Sequence, residues 1–248
     1  MNNTSSAKDA CASIFDTIRK TLLVPLHPAG LPFVGGGAFL TLFMFILWAP
    51  LGWLFLLATL FCLYFFRDPV RVTPTREGLI VSPADGRVVS VQENTVLPEE
   101  LEGDENDATW TKVSIFLSVF NVHVNRLPIG GTIVKKTYIP GKFLNAELDK
   151  ASKDNERALL LIETENGKKI GVSQIAGLVA RRIITDVHEG DKAVTGAKYG
   201  IIRFGSRADI YLPQGTHAQV CVGQTCIGGE TVLADMNSKE DTREGRSH

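Results

Sequence analysis

Between Lys20 and Arg67 the chain contains no Asp, Glu, Lys or Arg, and much of residues 31–66 is Leu, Phe, Ala, Trp or Ile. Such a stretch excludes a water-facing course and is membrane-grade sequence. Cysteine is scarce. Cys11, Cys62, Cys221 and Cys226 lack metal-site spacing, which excludes a zinc module or a disulfide scaffold and suits buried thiols in a reducing compartment; no metal is expected. A formal charge of -1, with no basic run and no aromatic-basic platform, excludes a nucleic-acid surface. No sustained heptad run is present, so no long coiled coil is expected. No Gly-x-Ser-x-Gly elbow surrounds Ser206, which argues against a conventional esterase.

The charge-free run is interrupted by Pro50 and Gly52, leaving apolar arms over 31–49 and 51–66. Each is near or below the roughly 17–25 residues that cross a bilayer as a helix, and a helical hairpin is the natural reading. Arg19 and Lys20 precede it and Arg67 and Arg71 follow, so both ends are expected on the cytoplasmic side. Ahead of it, Cys11, Ile14, Phe15, Ile18 and Leu22 recur at helical spacing, as in an amphipathic helix at a membrane surface. The bland alternative is a pair of buried core helices.

From Leu79 onward the texture changes to short β-rich runs broken by Gly, Pro and Asp. The expected strands cover 88–91, 113–119, 132–138, 158–164, 169–175, 180–184, 201–204, 208–212, 218–222 and 231–234. The expected architecture is a β-dominated α+β fold, a short-strand sandwich or barrel-like catalytic domain with carrier-domain-like elements, preceded by an N-terminal membrane-associated helical region. Its expected divisions are a membrane-associated region over 1–66, a β-rich domain over 67–236 and a disordered tail over 237–248.

One dipeptide stands apart: Gly205-Ser206 is the single Gly-Ser in the chain. A serine hydroxyl beside an unhindered glycine carbonyl can attack it, and the backbone can bend into the geometry that an N-to-O acyl shift demands. The resulting ester leaves Cβ of residue 206 by elimination, and hydrolysis of the dehydroalanine releases ammonia and leaves a pyruvoyl ketone. An unaided serine is a weak nucleophile, and of the five histidines only His123 lies in a polar strand pattern, with Asn121 and Asn125 expected on its face and Val122 and Val124 on the other. By residues alone His123 reads equally as a core histidine bonded to a carbonyl, and Asp85 as the carboxylate of an Asp-Gly turn.

The run Arg203 to Pro213 closely resembles the processing motif of the short, bacterial-type phosphatidylserine decarboxylases, which make their own pyruvoyl cofactor. Residues 65–69 (Phe-Phe-Arg-Asp-Pro), 81–88, 145–157 and 174–177 (Gln-Ile-Ala-Gly) resemble the same family, in its order. The resemblance implies a proenzyme cut between Gly205 and Ser206 into a β fragment, 1–205, and an α fragment, 206–248, held together by sheet contacts, with Ile210, Tyr211, Val220, Val222 and Val232 as the packing. It implies a pyruvoyl group derived from Ser206 that forms a Schiff base with phosphatidylserine, giving phosphatidylethanolamine and CO₂.

The same resemblance gives His123 the proton transfers of processing and decarboxylation, and Asp85 the task of orienting it, in a Ser-His-Asp relationship. Two positions depart from the pattern: Arg126 stands where the family often has a second histidine, and Asn121 where it often has an acidic residue. Expected partners are membrane lipid and the phosphatidylserine headgroup, its phosphate met by some of Lys142, Arg181, Arg182, Arg203 and Arg207. A bacterial inner-membrane location with a cytoplasmic catalytic domain follows, and a homo-oligomer is compatible with it. The competing reading is a non-enzymatic membrane-fusion adaptor, because residues 84–89 and 190–232 resemble the turn grammar of biotinyl and lipoyl carrier domains.

Overall fold

A computed structural model describes residues 24–101, 109–141, 154–177, 182–203 and 206–246. The expected amphipathic helix lies outside them, as do Gly205, Lys142 and Arg181. The chain divides into two compact units, Met1–Val70 and Arg71–His248.

In the first unit a 3₁₀ turn, Pro28–Gly30, leads into helices α1 (Leu31–Leu47) and α2 (Ala49–Phe65). The break falls at Trp48 rather than at Pro50. Proline instead occupies the first turn of α2, where no backbone N–H is needed. Thr41 and Thr59 hydroxyls lie 3.2 Å apart between the helices, and each donates back to a carbonyl one turn earlier, Gly37 O and Phe55 O. A side chain at Gly37 would come within 2.6 Å of Thr59 Oγ1, so glycine sets this close approach. Elsewhere the helices present large apolar side chains outward, among them Phe39, Leu42, Ile46, Trp53 and Leu57. Residues Pro28–Leu47 form one helix long and apolar enough to cross a membrane. At the foot, His27 N donates to Phe66 O and Asp68 N to Pro25 O.

The second unit holds thirteen strands, among the described residues. They are β1 (Leu79–Val81), β2 (Gly86–Thr95), β3 (Trp110–Leu117), β4 (Val124–Arg126), β5 (Gly131–Ile139), β6 (Arg157–Glu163), β7 (Lys169–Ala176), β8 (Ile183–Thr185), β9 (Lys192–Ala193), β10 (Lys198–Ile202), β11 (Ser206–Leu212), β12 (Thr225–Cys226) and β13 (Val232–Asp235). Eight form an antiparallel, curled sheet in the order β12-β2-β3-β11-β7-β6-β5-β9, and β4-β10-β8 and β1-β13 form two smaller sheets.

Alternation along the large sheet buries both of its faces. Val88, Ile115, Leu160, Val172 and Ile210 enter one core with Leu127 and Tyr199. Leu159, Leu161, Trp110 and Tyr211, one residue out of phase, enter another with Leu97 and Leu101. The uninterrupted Ala158-Leu-Leu-Leu-Ile162 run is the sequence of such a strand.

Residues 218–222 form no strand. They contribute one isolated bridge, Ala218 to Ala234, and Val222 is exposed rather than packed across a seam, whereas Val220 is in the core. From Asn237 to Arg246 the chain makes bonds of its own: Arg243 N donates to Ala218 O, and Arg243 Nη1 to Gln219 O.

Candidate active site

Ser206 opens β11, the strand at the middle of the large sheet, and stands between Leu117 of β3 and Ala176 of β7. Every residue of β11 is buried. Ser206 Oγ is buried with no hydrogen-bond partner among the described residues. Leaving such a group unsatisfied costs about 1–3 kcal/mol, a cost that Tyr199 Oη and Thr216 Oγ1 also carry among the described residues. On the same side of the sheet Ala208 packs against Ala84 and Leu117.

His123 lies just ahead of β4 and is fully buried. Its carbonyl accepts from Ile202 N at 3.3 Å, which ties it to β10, the strand that runs through Arg203 toward Ser206. Its Nδ1 is 2.9 Å from Asn121 O. A carbonyl can only accept, so Nδ1 carries the hydrogen and Nε2 is the basic nitrogen of the neutral ring. Extended structure begins only at Val124. Asn121 sits in a turn whose Oδ1 accepts from Ser118 N (2.9 Å) and Ser118 Oγ (2.7 Å), so it does not continue the face of Asn125 as alternation predicts.

Asp85 Oδ2 accepts from Arg71 Nη2 at 2.6 Å, and Oδ1 accepts from Gly228 N at 2.8 Å. The histidine nitrogen that a triad carboxylate would hold is taken by the Asn121 carbonyl. The turn carrying Asp85 is fastened to β4, because Arg126 N donates to Pro83 O at 2.8 Å. Register brings it to the same end of the sheet as Ser206, since Arg87 and Arg207 both stand opposite Phe116.

Residues 58–234 match the family model described as phosphatidylserine decarboxylase. The chain belongs to that family. It is 58% identical over 226 residues to the phosphatidylserine decarboxylase proenzyme of Cereibacter sphaeroides, covering 91% of this chain and 96% of that one. Proenzymes of the same name from Nitrobacter winogradskyi (56% over 216 residues, 87% and 86% covered) and Ruegeria pomeroyi (56% over 219 residues, 88% and 99% covered) are similar to it. Nothing in this kinship supports the membrane-fusion adaptor.

The arginines of this phosphatidylserine decarboxylase family member separate into different roles. Arg207 is fully buried: Nε and Nη2 close on Asp209 at 2.6 and 3.0 Å, and Nη2 also donates to Ser114 Oγ at 2.9 Å. Its charge is spent inside the fold. Arg203 N donates to Arg182 O at 3.2 Å, which brings two cations together three residues before Ser206. Burial, and then the like charge of Arg182, hold the Arg203 guanidinium below its ordinary range. A cleft of about 620 Å³ lies against Arg87, Phe116, Ser118 and Gly223. Arg87 and Phe116 alternate with the Ser206–Leu117 pair, so the cleft adjoins the opposite face of the sheet.

The partnership of Asn125 with Gln174 escapes a one-dimensional reading, although both lie in segments that the sequence singles out. Asn125 Oδ1 accepts from Gln174 Nε2 at 2.7 Å, and Gln174 Oε1 accepts from Thr185 Oγ1 at 3.0 Å. Gln174 stands opposite Ala208 as Ala176 does opposite Ser206, so its side chain emerges on the serine's face. The available signal was a buried position filled by glutamine next to Ser173 in the strand Lys169–Ala176.

Proposed function

We propose that this chain matures by cutting itself between Gly205 and Ser206, and that the mature protein decarboxylates phosphatidylserine to phosphatidylethanolamine at a membrane. The observation that carries the processing step is the buried, unpartnered Ser206 Oγ at the mouth of the central strand. The substrate follows from membership of the family and from relatives at 56–58% identity named for it.

In this reading His123 Nε2 takes the Ser206 proton as Oγ bonds to the preceding carbonyl carbon. The same proton passes to the departing nitrogen as the C–N bond breaks and an ester remains. Histidine suits a base that must work near neutral pH, and positioned proton transfer contributes about 10²–10⁴ in rate. Elimination and hydrolysis then turn residue 206 into a ketone. A pyruvoyl group at this position supplies an electron sink for the pair left behind by departing CO₂. His123 can return a proton to the substrate carbon, and Asp85 acts by tying the turn between Pro83 and Gly86 to Arg71 and to Gly228, just after β12.

The two fragments stay joined because the α fragment supplies β11 between β3 and β7, β12 beside β2 and β13 beside β1. Arg182 and Arg203 meet the headgroup phosphate, which relieves their mutual repulsion. The apolar helices α1 and α2 seat the chain in a bacterial inner membrane with the second unit on the cytoplasmic side. Docking at the lipid surface spares a diacyl substrate the cost of leaving it, about 0.8 kcal/mol for each CH₂ exposed to water.

Vesicles containing phosphatidylserine test the activity. The purified protein is expected to convert it to phosphatidylethanolamine with release of CO₂, and to lose this activity after treatment with hydroxylamine or borohydride. Conversion that survives both carbonyl reagents would overturn the ketone.

A further inference from the structure

We propose that the side-chain amide of Asn125 donates the hydrogen bond that stabilises the oxyanion formed when Ser206 attacks the carbonyl ahead of it, an inference that rests on the self-cleavage reading. Ser206 Oγ and Asn125 Nδ2 are among the buried side-chain polar atoms that lack partners among the described residues. Buried polar groups in folded proteins are overwhelmingly paired, and these two vacancies are linked through Gln174, which bonds Asn125 and lies on the Ser206 face of the sheet.

The amide is held in place. Its oxygen is claimed by Gln174 Nε2, and the oxygen of Gln174 is claimed in turn by Thr185 Oγ1. With Oδ1 fixed on Gln174, Nδ2 is left with no hydrogen-bond partner among the described residues. Gln174 belongs to the residue pair diagonal to Ser206 on the same face of the sheet, about 7–8 Å away by strand geometry. Asn125 reaches it from β4, two residues after His123. The nucleophile, the base and a fixed, dry donor therefore come from β11, the chain before β4 and β4 itself.

The step balances on these groups. As Oγ bonds to the carbonyl carbon its proton moves to His123, and the carbonyl π electrons move onto oxygen, where the Asn125 N–H accommodates the charge. Collapse restores the carbonyl, breaks the C–N bond and returns the proton from His123 to the leaving nitrogen. A donor fixed before the reaction needs no reorganisation when the charge appears, and losing one such donor costs about 10²–10³ in rate.

The test is a time course of chain cutting after cell-free synthesis, read on denaturing gels for wild type, Ser206→Ala, Asn125→Ala and Asn125→Asp. Asn125→Asp keeps the shape and the oxygen that Gln174 needs while replacing the fixed N–H with a carboxyl, which when ionised sets negative charge against the forming oxyanion; Asn125→Ala removes the donor outright. Asn125→Asp is expected to cut about 10²–10³ times more slowly than wild type, to melt cooperatively although below the uncut Ser206→Ala chain because its carboxyl is buried without an opposite charge, and to be left intact by hydroxylamine because no ester accumulates. Cutting of Asn125→Asp at the wild-type rate overturns the inference, as does a hydroxylamine-labile ester in its uncut band, which would move the block past the acyl shift. A wild-type chain that never cuts, or a Ser206→Ala chain that does, overturns the self-cleavage reading instead.

Discussion

Arg207 and Asp209, two residues apart on β11, close a two-point ion pair inside the protein, with side chains 1% and 0% exposed. The pair sits immediately beside Ser206 on the opposite face of the strand, with Ser114 as a third member. Removing one partner of such a pair leaves a buried charge uncompensated, typically at about 3–5 kcal/mol. Arg207→Ala in the uncut Ser206→Ala background should therefore lower the denaturant midpoint by the equivalent of that energy. An unchanged midpoint would mean that the pair carries no structural weight.

Replacement of His123 reports on proton transfer. His123→Ala should slow chain cutting by about 10²–10⁴ if its imidazole is the base. Gel time courses measure this directly, and a variant that cuts and decarboxylates normally would remove His123 from both steps.

The arginine pair predicts a split in kinetic constants. Arg203→Ala should raise KM for phosphatidylserine in mixed micelles about tenfold or more, as expected for loss of a charge-assisted bond to phosphate of about 1.5–3 kcal/mol, with a smaller change in kcat. Self-cleavage should be unaffected because it involves no phosphate. A fall in kcat alone would assign Arg203 to the chemistry rather than to the headgroup.

Cohesion of the two fragments should depend on acid through Arg76 and Asp235, which join at 2.6 Å across the β1–β13 seam. Burial raises the Asp235 pKa, but the hydrogen bonds from Arg76 and from Asn237 N outweigh it and hold the carboxyl below its ordinary value of 3.8. A depressed carboxylate stabilises the fold above its ordinary pKa and ceases to do so as pH falls through the lowered value. Retention of the small fragment, followed by size-exclusion chromatography, should fall below pH 3.8, and Arg76→Ala should flatten that dependence. Identical acid profiles for the two proteins would contradict the assignment.

Burial of Cys226, aided by the charge of Asp85, pushes its thiol up to about 12. Half-buried Cys221 should therefore be alkylated first at neutral pH in the native protein, read by peptide mass mapping. Equal labelling would contradict the packing of β12.

The candidate site residues could be named from the sequence because the chemistry proposed for them is local. Gly205-Ser206 is unique in the chain, and His123 stands out among so few histidines. The strand pattern survived, except over 218–222, because period-two alternation dictates it, and the helix break was misplaced by two residues because proline is welcome in a first helical turn. Contacts made across the fold were not legible. The Asn125–Gln174 bond joins residues 49 apart, and no periodicity encodes it. Arg207 looked available for phosphate, although Asp209 at the next position on the same face carried the hint of an internal partner.

Intact mass measurement of purified wild-type protein beside Ser206→Ala tests the central claim most directly. The account predicts two polypeptides for wild type, residues 1–205 and a second piece of 43 residues whose first residue has no free amine, and one unbroken chain for the variant. Fully active wild-type material that weighs as a single continuous chain would contradict it.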